Sequence, residues 1–431
     1  MTRLISAIVA LTGVAAAAVT LRGVTRSTSP AAAAPARTAA EVRDQDISFY
    51  QARIKRDPLG ALDRAQLAGL YLDRARETGD NGDLVRAEET ARGSLANRQA
   101  HNSKALAILI NSLLGQHRYP EALAAARDLA QREPEARSVH ALLGEIQMEL
   151  GQYDSARATF DSLAGWTRDL AVAPRLARWL ELEGRNEDAH RLLVQARDNA
   201  RRLPGLSAEQ AAWFELRVGD IALRNGRLTE AERAFRAGLS VHPEDYRLLA
   251  AMARLVAVRH DWESSISWGD RAIARHLDPA TLGLVGDAYA ALGDSAKSEE
   301  YYHVLEVSLG GQTGPFHRAW SLALLDHGRR VPELLQKAEE EIDVRQDVYG
   351  WDLLAWALHK AGRDSEATAA MGKALSLGTR DAMLFYHAAM IQNSLGNRAA
   401  AQDWLERALA VNPYWHPTQP AEARAAIGGV S

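Results

Sequence analysis

Small and apolar positions in the segment Asp347–Arg380 recur in the next one, Asp381–Tyr414, at an offset of about 34 residues, and the same pattern runs back to about Leu62. Trp351, Leu354, Ala355, Leu358, Ala367 and Ala374 mark the first segment; Phe385, Ala388, Ala389, Gln392, Ala401, Leu405, Ala408 and Pro413 mark the second. These are the places where two antiparallel helices must interlock. The spacing predicts ten helix pairs, beginning near Leu62, Ser103, Arg137, Leu170, Ala212, Tyr246, Pro279, Gly314, Val348 and Ala382. An amphipathic helix from Asp44 to Arg56 precedes them, with Ile47, Tyr50 and Ile54 on one face and Asp57-Pro58 as its stop.

The units share a grammar. The first helix of each pair carries a small residue where the second crosses it, at Gly69, Gly144, Ala177, Gly219, Ala253, Gly286, Ala355 and Ala389. Glycine or a polar substitute follows at the turn, as in Gly151-Gln152, Gly184-Arg185, Gly226-Arg227, Gly362-Arg363 and Gly396-Asn397, which suits a helix ending in left-handed geometry. Alanine then opens the contact on the second helix, at Ala87, Ala122, Ala156, Ala189, Ala231, Ala367 and Ala401. Two units run long. The first extends its opening helix to the Gly79-Asp80-Asn81-Gly82 turn; the fourth extends its second helix toward Leu203-Pro204-Gly205, a candidate hinge or seam. The eighth departs from the grammar. Val331-Pro332-Glu333 replaces its alanine, Lys337 and Glu340 occupy expected apolar positions, and Gly310-Gly311-Gln312-Thr313-Gly314 reads as a flexible connection.

This pattern resembles the tetratricopeptide repeat (TPR) family. The resemblance implies an all-α fold: a right-handed superhelical solenoid of antiparallel helix pairs, about ten TPR units plus capping helices. The expected organisation is residues 1–26 a signal peptide or signal anchor, 27–40 an Ala/Pro/Ser-rich linker, 41–203 an N-terminal array with its leading cap helix, 204–413 a C-terminal array, and 414–431 a tail. In the tail, Tyr414-Trp415-His416-Pro417 is extended, and a short helix from about Ala421 to Ile427 folds back as a cap.

Composition narrows the function classes. Charged residues make up 25% and hydrophobic residues 47%, the balance of an ordered chain, and the formal net charge of −4 gives no general attraction for phosphate backbones. Without a basic stripe, nucleic acid is not an expected partner. There is no cysteine, which excludes disulfides, thiol nucleophiles and a lipid-modified N-terminal cysteine. Arg3 precedes an uncharged, Ala-rich run from Leu4 to Leu21, followed by Arg22 and Arg26. That reads as an export signal with small-residue cleavage sites around Ala15–Ala18. The rival reading is an uncleaved anchor over residues 4–21, the chain's only expected membrane contact, with the body in the cytoplasm.

Catalytic signatures are missing: no phosphate loop, no His-Glu-x-x-His, no nucleophile elbow. The protein is not expected to be an enzyme or to need a cofactor. Its thirteen histidines lack the i, i+4 or short-loop spacing of metal ligands, so no metal site is assigned.

TPR proteins usually bind peptides on the concave face of the first helices. That expectation singles out Lys104, Asn111, Glu145, Met148, Arg178, Glu181, Asp220, Arg254, Asp287 and Arg318, whose alternating charge favours a mixed-charge or polar partner. The Lys/Asn/Asn/Lys/Arg set that grips a chain-end carboxylate in chaperone-binding relatives is absent. Nearer the C-terminus the inner positions turn aromatic. The candidate partner-binding residues are Arg318, Tyr349, Asp352, Trp356, His359, Tyr386, Met390 and Asn393. Equally open is a cap in which Tyr414 and Trp415 fold over Trp356 and Tyr386. The expected role is a non-catalytic adaptor, exported to the periplasm or cell envelope, that holds a protein or peptide in its groove. Alternatives are a membrane-tethered regulator facing the cytoplasm, and a small-ligand or metal-binding protein using the C-terminal groove.

Overall fold

The computed structural model describes residues 37–310 and 318–428. The expected leader and most of the linker, the connection at 311–317 and the last three residues lie outside them. The repeat array lies in one compact unit that begins at Arg43.

Among the described residues, twenty-two helices follow one another, and all but the first and last form ten antiparallel pairs. After α1 (Ala39–Arg56) come α2 (Ala61–Thr78) with α3 (Asn81–Asn97), α4 (Ser103–Gly115) with α5 (Tyr119–Arg132), and α6 (Arg137–Glu149) with α7 (Tyr153–Leu163). The middle pairs are α8 (Ala173–Leu182) with α9 (Asn186–Ala200), α10 (Ala208–Arg224) with α11 (Leu228–Val241), and α12 (Tyr246–Ala257) with α13 (Trp262–Ile273). Then follow α14 (Pro279–Ala291) with α15 (Ser295–Gly310), α16 (Arg318–Asp326) with α17 (Val331–Ile342), α18 (Val348–Lys360) with α19 (Asp364–Ala374), α20 (Ala382–Ser394) with α21 (Arg398–Val411), and the closing α22 (Gln419–Gly428).

Each hairpin turn has one chemistry. Gly151, Gly184 and Gly226 take φ of 70°, 74° and 72°, where an L side chain is strained, and the next amide reaches back to close the helix end. Gln152 donates to the Gln147 carbonyl at 2.9 Å and Arg185 to that of Leu180 at 2.8 Å. His117 and His260 adopt the same conformation without glycine, at φ of 56° and 59°. Helix crossings depend on missing side chains. A Cβ on Gly144 would stand 2.8 Å from the Phe160 ring, and one on Gly219 would stand 2.2 Å from that of Phe235. Both rings are almost fully buried, so crossing and core are one contact.

The eighth pair packs through a shifted register. Leu334, Leu335, Ala338 and Ile342 turn inward on α17, while Lys337 pairs with Glu333 and Glu340 is exposed. The polar residues at the expected apolar positions therefore face outward. Arg330 enters α17 at a left-handed φ of 51°.

The array also closes upon itself. Residues roughly 190 to 200 positions apart meet: Thr379 donates to the Leu182 carbonyl at 2.5 Å, the Val348 amide to the Tyr153 hydroxyl at 2.6 Å, and Asn412 to the Leu223 carbonyl at 3.0 Å. Arg345 pairs with Glu149 at 2.8 Å and lies over the Tyr119 ring. Glycine permits this approach. A Cβ on Gly151 would come within 2.3 Å of the Gln346 carbonyl oxygen, and one on Gly184 within 2.4 Å of that of Gly378. Gly362 has a similar φ of 76° but open space around it.

Gly362→Ala therefore isolates the left-handed strain, about 1–2 kcal/mol. Gly151→Ala adds a backbone collision, and the extra loss is expected to be about 1–3 kcal/mol. Urea midpoints of the two variants measure the difference. Equal midpoints would show that the closure contributes nothing.

Candidate functional site

The inner faces of α8, α10, α12, α14, α16, α18 and α20, with Tyr414–Pro417 of the tail, line a partly open cavity of about 620 Å³. That is the size range of ligand sites. One wall is cationic. Arg217, Asp220 and Arg224 share a face of α10 because they sit three and seven residues apart, and they meet Arg178 and Glu181 of α8. Glu181 is buried and accepts from Arg224 through one oxygen. Its other oxygen has no hydrogen bond; Arg178 and Arg217 stand 3.8 and 3.9 Å away. Burial works to raise the Glu181 carboxyl, yet Arg224, Arg178 and Arg217 outweigh it and hold it below the ordinary value. Asp220 accepts from Arg254 at 3.2 Å.

Another part of the lining carries acid. Asp287 accepts from the Tyr302 hydroxyl and lies 3.0 Å from His327, while Asp326 accepts the Trp356 indole N–H at 2.8 Å. Leu284, Leu322, Ala323 and Met383 supply apolar surface to the same cavity. Tyr349 sits between the guanidiniums of Arg178 and Arg318, 4.9 and 4.7 Å from its ring centroid.

Behind Arg318 is a buried pair. Asp352 accepts from Arg318 at 2.6 Å and lies 2.7 Å from Nδ1 of His387, with Asp352 and His387 both closed to solvent. Trp356 stacks on His387 at 4.0 Å and on His359 at 4.9 Å. Trp415 of the tail covers Tyr386 at 5.8 Å, and the Tyr386 hydroxyl donates to Glu422 of α22 at 2.9 Å.

Models described as tetratricopeptide repeat match residues 113–180, 216–281 and 384–414. The chain carries tetratricopeptide repeats in these three stretches. No curated protein matches it. Among solved structures it is similar to the Cut9–Hcn1 hetero-tetramer of the APC/C, at 13% identity over 90% of this chain and 94% of that one, with a TM-score of 0.34. It is also similar to PilW, a type IV pilus biogenesis factor, at 18% identity, 49% and 96% coverage and a TM-score of 0.40. The third is pilF of Pseudomonas aeruginosa, at 17% identity, 49% and 93% coverage and a TM-score of 0.39. All three are distant likenesses. Among the described residues, no helix is long and apolar enough to cross a membrane.

This repeat array divides seven of the eight candidate residues between two places. Arg318 and Tyr349 line the cavity, and Asp352 lies buried behind Arg318. Trp356, His359 and Tyr386 belong to the packed aromatic cluster, with Met390 against the same core. Trp356 and Tyr386 keep only 2% and 4% of their surface, so the folded-back tail is the arrangement present. Asn393 is exposed and outside the cavity lining. Of the inner positions, Arg178, Glu181, Asp220, Arg254 and Asp287 line the cavity. Lys104 instead donates to Gln66, Glu145 pairs with Arg175, and Met148 is core. Arg217, Arg224, Arg380 and the tail wall were missing from the sequence reading. The two α10 arginines had a signal: they share a helical face with Asp220, one turn before it and one turn after.

Truncating Trp356 removes a buried ring, so Trp356→Ala is expected to cost about 3–5 kcal/mol in denaturant unfolding. A loss below about 1 kcal/mol would mean that the cluster is not core. Burial works to raise the Asp352 carboxyl, but His387 and Arg318 prevail and depress it. A depressed carboxyl stabilises above its unfolded value, near pH 4, and loses that contribution as pH falls through its folded value. The stability advantage of wild type over Asp352→Asn should therefore shrink on acidification below about pH 4. Urea midpoints across that range test it; a constant advantage refutes the pairing.

Proposed function

We propose that this protein is a non-catalytic scaffold that binds a protein or peptide partner through the inner side chains of its repeat array, and that it works in the cell envelope. One observation carries the binding reading. The inner faces of seven first helices converge with the tail on a single cavity whose charged and apolar groups are accessible from within. Converging polar groups on an apolar wall suit a ligand with both characters. The envelope location rests on sequence alone, through Arg3 and the uncharged run Leu4–Leu21 with its small-residue cleavage sites. Arg318 and Tyr349 are the candidate residues placed to touch a partner; the aromatic cluster around Trp356 holds the tail that forms one wall.

A photocrosslinking residue at Ala280, exposed and lining the cavity, should yield polypeptide adducts in cells. One at Arg233, exposed on α11, should not. Adducts from Arg233 alone, or equally from both, would remove the inner face as the binding surface. A reporter fused after Ser431 and read in fractionated cells tests location, and a cytoplasmic reporter would favour the tethered alternative.

A further inference from the structure

The cationic wall is over-supplied with charge. Three guanidiniums, from Arg178, Arg217 and Arg224, surround one carboxylate, Glu181. Asp220 also attracts Arg217 and Arg224, but it is hydrogen-bonded to Arg254 and so only partly offsets the excess. Arg217 is the least satisfied of the three. Among the described residues it makes no hydrogen bond, its nearest carboxylate oxygen is 3.9 Å away, and 22% of its side chain still opens to the cavity. Arg224, by contrast, holds Glu181 directly, and Arg178 rests on the Tyr349 ring.

We propose that Arg217 marks a carboxylate-binding site in this cavity, and that its ligand is a short peptide segment docking a chain-end or side-chain carboxylate there. The assignment rests on the inner-face binding reading and specifies its chemistry. Guanidinium offers two parallel N–H donors matched to the two oxygens of a carboxylate, so the interaction is directional as well as charged. Burial, and then repulsion from Arg224, lower the Arg217 pKa, so an arriving anion removes a standing penalty.

The remaining surface separates a peptide from a free anion. The same cavity is also lined by Leu284, Leu322 and Ala323, which a bare phosphate or sulfate would leave unused. Asp287 and Asp326 line it too, and they repel a polyanion and suit a neutral or basic remainder. The ligand therefore carries its negative charge locally, with apolar and neutral or basic residues in the remainder. No element of the carboxylate-gripping set of chaperone-binding relatives is used, because these arginines lie three residues before and four residues after Asp220 on a single helix face.

The test uses the full chain and three Ala/Leu peptides with an N-terminal lysine, titrated calorimetrically. The first has a free C-terminal carboxylate, the second is amidated, and the third is amidated with one internal glutamate. Either carboxylate form is expected to bind about tenfold or more tightly than the plain amide. The tighter of the two identifies the source of the group. Arg217→Gln should reduce both to the level of the amide, Arg217→Lys should restore part of the difference, and Arg233→Gln should change nothing. Inorganic phosphate should fail to displace the peptide at equal concentration. Three peptides bound equally, full affinity in Arg217→Gln with unchanged thermal unfolding, or displacement by phosphate would each overturn the assignment. In those cases adducts at Ala280 would leave the inner-face reading standing. Absence of both binding and adducts would end the two together.

Discussion

The architecture turns on two glycines that allow backbone to meet backbone. In most helical repeat arrays a unit touches only its neighbours, and stability is a sum of local terms. Here Gly151 and Gly184 let the hairpin turns of α6–α7 and α8–α9 sit against the loops that precede α18 and α20. That approach brings Thr379 to Leu182 and Val348 to Tyr153, and it converts an inner face into the wall of a cavity. Any side chain at those positions would hold the two stretches apart, and the inner arginines would then face open solvent.

Closure changes the electrostatics of the inner face. A charge on an open groove is screened by water and salt within about 10 Å, whereas charges packed among helices interact more strongly and cost more to leave unpaired. The protein meets that cost in different ways along the array. Arg345 is held between Glu149, Asp347 and the Tyr119 ring at the closure itself. Arg318 is anchored by a carboxylate that is wholly buried. At Arg217 the compensation stops short. Uncompensated charge in a confined space opposes stability, and functional sites are where folds commonly tolerate such opposition.

The fold was legible because its determinants are local and repeated. Gly144 opposite Phe160 and Gly219 opposite Phe235 are spacing rules, and spacing survives in one dimension. The eighth unit misled only in register: Lys337 and Glu340 violate the shared pattern, while Leu334, Leu335 and Ala338 supply the same inward face one step away. Closure was not legible, since a left-handed turn already accounts for Gly151 and Gly184 and nothing in the string reveals their second role. Half of the cavity was visible for a similar reason. Arg178, Asp220 and Arg254 fall at the repeat's inner positions, but Arg217 and Arg224 join them through the length and rotation of α10. Whether Trp356 and Tyr386 face solvent or core depended on the path of the tail, which no periodicity encodes.

That path gives the aromatic cluster a part in binding although it is shut away from ligand. Trp415 packs on Tyr386, Glu422 accepts from its hydroxyl, and Trp356 donates to Asp326 on the acidic wall. The residues between these anchors, Tyr414, His416 and Pro417, are themselves cavity wall. The cluster therefore fixes two parts of the cavity at once: the position of the tail and the orientation of the Asp326 carboxylate. Rigid side chains behind a site hold its groups in place without touching what binds there. On this view the aromatic pattern near the C-terminus marks the support of a recognition surface, and the surface itself is written in the charges of the helices before it.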